Sequence, residues 1–135
     1  MATYGKTSWK YVGTTALTGG ELLKFSAKGE VDLASANTDK FVGTAAEACG
    51  AGNVTKQNIG VWPLCPGTTL QVIASAAITA GDYLTATTGG KVVSTTPKAT
   101  YEASAVEWIL GYANEAAAAD LDVIEMVCFP TSQSQ

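Results

Sequence analysis

Ala77 to Val92 reads AITAGDYLTATTGGKV, and Ala16 to Val31, sixty-one residues earlier, reads ALTGGELLKFSAKGEV. Laid over one another without a gap, the stretches match at Ala16/Ala77, Thr18/Thr79, Gly20/Gly81, Leu23/Leu84, Gly29/Gly90 and Val31/Val92. Leu17/Ile78 and Glu21/Asp82 add conservative pairs. A chain rich in Ala, Thr and Gly yields some matches by accident, and a second pair in the same order strengthens the case. FVGTAAEACGA, Phe41 to Ala51, lies over ILGYANEAAAA, Ile109 to Ala119, with Gly43/Gly111, Ala45/Ala113, Glu47/Glu115, Ala48/Ala116 and Ala51/Ala119 identical. The offset grows from 61 to 68, which a seven-residue longer loop between Val92 and Ile109 explains. The unit is too long and occurs too few times for a solenoid, so the pattern reads as an internal duplication within one fold.

Each copy opens with an apolar-Thr-x-Gly-acid step, where Gly20 or Gly81 supplies a turn before an extended run at Leu22-Leu23 or Tyr83-Leu84. TATTGGKVV carries β-branched residues suited to a pleated surface, with Gly89-Gly90 as a hairpin signal and Lys28-Gly29 in its place in the first copy. Propensity alone would make Tyr101 to Leu121 a helix. The first copy argues against it, because Gly50, Gly52 and Asn53 would break a helix there. Asp122 to Phe129 alternates Val123, Glu125, Val127 and Phe129 with Ile124, Met126 and Cys128, as a strand buried largely on both faces would. Leu70 to Ala76 is a further strand. The fold class is therefore all-β: a compact β-barrel or β-sandwich from an internal duplication, with at most short helical turns. The expected organisation is an N-terminal arm over residues 1–15, a single β-domain over 16–130 with halves at about 16–62 and 77–130, and a loose polar tail over 131–135.

At 135 residues the chain has the length of one domain, and 47% hydrophobic content with a mean hydropathy of +0.15 excludes a disordered chain. Eight Lys, no Arg and no His stand against twelve acids, for a net charge of −4. Nucleic-acid binders neutralise phosphates with clustered cations and read guanine with Arg, so direct nucleic-acid binding is not expected. No apolar run approaches the ~18 residues of a membrane span, and MATYGKTSWKYVG lacks the apolar middle of a signal peptide, so no membrane is expected and the protein reads as made in the cytoplasm. Cys49, Cys65 and Cys128 are odd in number and widely spaced, which fits three small buried hydrophobes better than a zinc site or a disulfide framework.

A catalytic constellation is not visible. Without His, the Ser-His and Cys-His pairs and most catalytic zinc sites are excluded, and the Gly-rich pieces fit neither a Walker loop nor a dinucleotide fingerprint. The repeated carboxylates are Glu47/Glu115 and Glu21/Asp82. A paired-acid glycosidase is conceivable from them, but acids beside turns commonly accept backbone N–H bonds. No enzyme, cofactor or metal is expected.

AITAGDYL, the GKV hairpin and ILGYANEAAAADLDVIEMVCF, together with VGTAAEACGAGNVTKQNIGVWPL, resemble the capsid cement or head decoration proteins of tailed bacteriophages. The motifs are an apolar-x-x-Gly-Asp step at Ile78 to Asp82, a Gly-x-Ala-x-Glu-Ala connector at Gly43 to Ala48 and Gly111 to Ala116, and a Gly-Val-Trp run at Gly60 to Trp62, within residues 16 to 129. The resemblance implies a protein on the virion exterior, made in the host cytoplasm, that binds the major capsid protein at capsomer junctions and self-associates as a trimer. It implies no chemistry, only shape and many copies whose modest contacts sum. Tyr4, Trp9, Tyr11, Trp62 and Trp108 are the expected capsid or subunit contacts, and loss of residues 1–15 is expected to weaken capsid binding while sparing the fold. Two alternatives are a carbohydrate-binding β-module using Trp62, Trp108 or Tyr112 as sugar platforms, and a small β-barrel enzyme domain.

Overall fold

The computed structural model describes residues 6–50, 57–95 and 106–134. Ten strands run in order: β1 (Thr7–Tyr11), β2 (Leu22–Ala27), β3 (Glu30–Leu33), β4 (Phe41–Ala45), β5 (Gln57–Pro63), β6 (Thr69–Ile73), β7 (Tyr83–Ala86), β8 (Val92–Thr95), β9 (Val106–Ala113) and β10 (Val123–Ser134). The only helical element among the described residues is a 3-10 turn, Thr88–Gly90. The Ala run after β9 is a loop, pinned by the Ile78/Ala117 bridge.

The first five strands form a closed barrel in the order β1-β3-β2-β4-β5, and the other five a sheet in the order β6-β10-β9-β7-β8. The two follow the same strand order, closed into a barrel in the first lobe and left as a sheet with edges touching at one bridge in the second. β1 meets β3 in parallel at Tyr11/Val31, and the edges of the second sheet meet in parallel at a single bridge, Ala74/Val92. The duplication is visible bond by bond. Leu17 and Cys49 exchange two backbone bonds, and so do Ile78 and Ala117. Gly20 N–H donates to Ala45 O at 2.8 Å, and Gly81 N–H to Ala113 O at 2.8 Å. Ala46 N–H donates to Gly60 O, and Asn114 N–H to Glu125 O, at 2.9 Å each. Gly20 and Gly81 hold φ of +95° and +93°, which is why the step before β2 and before β7 keeps a residue without a Cβ.

Each lobe has its own core. Tyr11, Leu17, Leu23, Val31, Ile59 and Val61 fill the first. Their counterparts Ala74, Ile78, Leu84, Val92, Ile124 and Met126 fill the second, with Leu22 and Ala34 of the first lobe packed into the same cluster.

Three boundary expectations change. Within the expected arm, Thr7–Tyr11 is a strand of the first lobe: β1 pairs with β5 over five residues and completes the barrel, and Tyr11 is fully buried in its core, while residues 1–5 lie outside the described residues. Losing β1 would remove that pairing, so deletion of residues 1–15 is expected to cost the fold as well as any binding. The repeat is therefore larger than 16–62 and 77–130, spanning β1 to β5 and β6 to β10. Residues 131–134 are not a loose tail, because Thr131 to Ser134 continue β10 and pair with Ile109 to Val106 after a bulge. Polar side chains give no sign of such a strand, since the pairing is made by backbone groups. β10 is also one-sided: Ile124, Met126 and Cys128 are buried, while Val123, Glu125 and Phe129 are exposed.

Candidate interaction surfaces

Because successive side chains of a strand alternate between faces, the residues beside the inward Leu23 and Leu84 point away from the barrel interior. In the second lobe they form a row across the sheet, Thr95, Tyr83, Tyr112 and Val127, each directly opposite the next. Phe129 extends the row, its ring edge-on to Tyr112 at 5.9 Å between centroids. Tyr83, Tyr112 and Phe129 are 38%, 36% and 39% exposed, a contiguous exposed aromatic face. The equivalent row of the first lobe is Ala34, Leu22, Thr44 and Trp62. Its first three members are buried and Trp62 is 40% exposed.

Trp62 borders a cleft of about 660 Å³ between the lobes, with Gly19 and Ala46 on one wall and Gln71 and Val123 on the other. The Lys6 ammonium lies 5.7 Å from the centre of the Trp62 ring, a cation–π contact. A second, apolar recess of about 470 Å³ is lined by Phe41, Val42, Pro63, Leu64, Leu110 and Pro130. It belongs to the seam around the connection from β5 to β6.

The expected contact residues are scattered. Trp9 is half-buried, edge-on to the exposed Phe25 at 6.4 Å, its indole N–H donating to Thr7 Oγ1 at 2.9 Å. Tyr11 is enclosed in the first core, away from any surface, and its hydroxyl donates to the Thr15 carbonyl. Trp62 is exposed at the rim of the cleft between the lobes. Tyr4 and the Trp108 side chain lie outside the described residues; the Trp108 backbone pairs with Ser132. Tyr83 and Phe129 were missed, although the aligned copies carry a signal. Where the first copy has Leu22 and Thr44, the second has Tyr83 and Tyr112, two large amphipathic rings at positions of known parity.

The repeated acids brace turns. Glu21 is buried and accepts from Thr18 N–H and Gly19 N–H at 2.8 Å each, and from Thr18 Oγ1 at 3.1 Å. Asp82 accepts from Thr79 N–H at 3.0 Å and Ser94 Oγ at 2.8 Å. Glu47 Oε1 accepts from Gly60 N–H at 2.7 Å, and Glu115 Oε1 from Glu125 N–H at 2.9 Å. Cys49, Cys65 and Cys128 form no disulfide, and burial pushes the Cys128 thiol up to about 11. Among the described residues no group of three His, Cys, Asp or Glu is placed to hold a metal ion.

No family model and no curated protein matches the chain. Among solved structures it is similar to the N base of head fiber gp8.5 of bacteriophage phi29, at 25% identity and a TM-score of 0.66, over 93% of this chain and 95% of that one. A likeness that runs through both lobes, with a quarter of the residues shared, supports a structural protein associated with a phage head.

Proposed function

We propose that this protein is a capsid decoration protein. It binds the major capsid protein on the outside of a phage head, at capsomer junctions, self-associates as a trimer and holds the shell against internal pressure. The observation that carries the reading is the end-to-end likeness to a head fiber base. The physics fits: two rigid all-β lobes with their turn acids committed to backbone bonds offer shape and contact area, and many copies on a symmetric shell multiply weak contacts. No catalytic step or cofactor enters the mechanism. The same likeness favours a second reading, in which the two lobes anchor a fibre to the head.

The test is co-sedimentation of the purified protein with expanded, undecorated heads, followed by cryo-electron microscopy of the pelleted particles. Density at capsomer junctions, with heads that survive heating to a higher temperature than bare ones, is the expected result. Protein left in the supernatant at saturating concentration would remove the proposal. Fibres projecting from the bound lobes of native particles would favour the anchor over the cement.

A further inference from the structure

We infer that the Tyr83-Tyr112-Phe129 face is a socket for the first lobe of a second copy of this chain, in a head-to-tail contact that repeats the one between its own two lobes. The molecule already contains that contact once. In the first lobe the equivalent row is covered, and the second lobe covers it: Leu22 and Ala34 are part of the second lobe's core cluster. The covering elements are the Thr88–Gly90 turn and β6. Gly90 N–H donates to Ala34 O at 2.8 Å, and a Cβ at Gly90 would lie 3.0 Å from both Glu21 Cβ and Leu22 O. A Cβ at Gly20 would meet Ile73 Cγ1 at 3.5 Å and the Gln71 carbonyl oxygen at 3.6 Å.

Transferring these plug and socket positions through the duplication shows both halves of the same contact left open, at opposite ends of one chain. The open socket has Gly81 where the closed one has Gly20, and Gly81 is exposed with nothing within 4 Å of a built Cβ. The free plug has Gly29 where the engaged one has Gly90, and Gly29 is likewise exposed with nothing within 4 Å. Ser8 and Lys10 stand on β1 where Gln71 and Ile73 stand on β6, and both are exposed. Phe25, at the end of β2 beside the plug, is 47% exposed. Docked in the same way, the plug brings Lys10 to Gly81, next to the Asp82 carboxylate, so the contact joins an apolar centre to an opposite-charge rim. A head-to-tail contact between identical chains repeats until the assembly closes on itself. The inference deepens the self-association in the proposed function and rests on that part of it; attachment to a head is measured separately, by co-sedimentation.

The test uses the full chain in solution, without capsid. Light scattering after size exclusion is expected to show a multimer for the natural protein and monomers for Phe25→Glu and for Tyr112→Glu, two substitutions at solvent-exposed positions. Circular dichroism checks that each variant is folded. Mixed one to one, the variants are expected to form dimers and nothing larger, because each retains the face the other lacks. A photo-crosslinking residue at position 112 is expected to label the peptide around Phe25 to Gly29 of another copy. A monomeric natural protein, a Phe25→Glu multimer of natural size, or labelling confined to the Tyr83-Phe129 face of the second copy would each overturn the inference.

Discussion

Tyr11 and Ala74 hold the same place in their lobes, each meeting the opposite edge in parallel, at Val31 in one case and Val92 in the other. One is the largest side chain in the first core; the other is scarcely a side chain. Tyr11 fits because Gly13 has no Cβ, which would lie 2.3 Å from the phenol oxygen. In the second lobe Met126 stands where the first has Val61, supplying volume from another strand. The filling of the two lobes has diverged while the backbone hydrogen bonds superimpose. The lattice of N–H and C=O pairs admits few alternatives once buried, because an unpaired group costs its full desolvation. A core needs only about the right volume. Two lobes can therefore share a frame and still present different surfaces, one closed against its neighbour and one open.

The largest effect should come from the frame. A Cβ at Gly43 would lie 2.0 Å from the Trp62 carbonyl oxygen, and one at Gly111 the same distance from the Val127 carbonyl oxygen. Backbone cannot step aside as a side chain does, so Gly43→Ala and Gly111→Ala should each cost about 3 kcal/mol or more. Urea midpoints measure both. Equal losses would show that the lattice constrains the two lobes alike; a tolerated alanine at either position would break the comparison there.

That distinction also governs what the sequence discloses. Gly43/Gly111, Gly20/Gly81 and the turn acids recur because the frame demands them, and from them the all-β duplication is legible. β1 and β6 are equivalent through their pairing with β5 and β10, yet TSWKY and TLQVI share only an initial Thr, at positions that are not equivalent in the pairing. Strand identity there lives in backbone bonds that any residue can make. The first strand thus reads as an arm, and the polar end of β10 as a tail. The open socket is hidden for a related reason. Tyr83 and Tyr112 look like any half-buried strand residues until one sees that Leu22 and Thr44, in the same places, are covered.

A middle-sized effect separates the cores. Burial, with the Asp32 carboxylate adding to it, pushes the Tyr11 phenol up to about 12 from an ordinary value of 10. Its neutral form favours the folded state fully below pH 10, and that contribution is lost as pH rises from 10 to 12. Two pKa units correspond to about 3 kcal/mol. Tyr11→Phe removes the titration along with the bond to the Thr15 carbonyl, at a cost of about 1 kcal/mol near neutrality. The natural protein should be the more stable at pH 8 and Tyr11→Phe the more stable near pH 12. Parallel stability curves for the two would mean that the phenol is not held neutral in the first core.

The smallest effect tests the frame again, at its exposed edge. Glu47 and Glu115 are both exposed, and each reaches across to a backbone N–H of the returning strand, Gly60 in one lobe and Glu125 in the other. Hydrogen bonds to a charged acceptor are the stronger kind, but solvent screens these two, so Glu47→Ala and Glu115→Ala should each cost only about 1 kcal/mol. Because the carboxylates sit at one position of the duplicated lattice, the two losses should agree closely and should add in the double variant, the sites lying in separate lobes. Strong non-additivity would mean that the lobes communicate through their seam rather than fold as two copies of one frame.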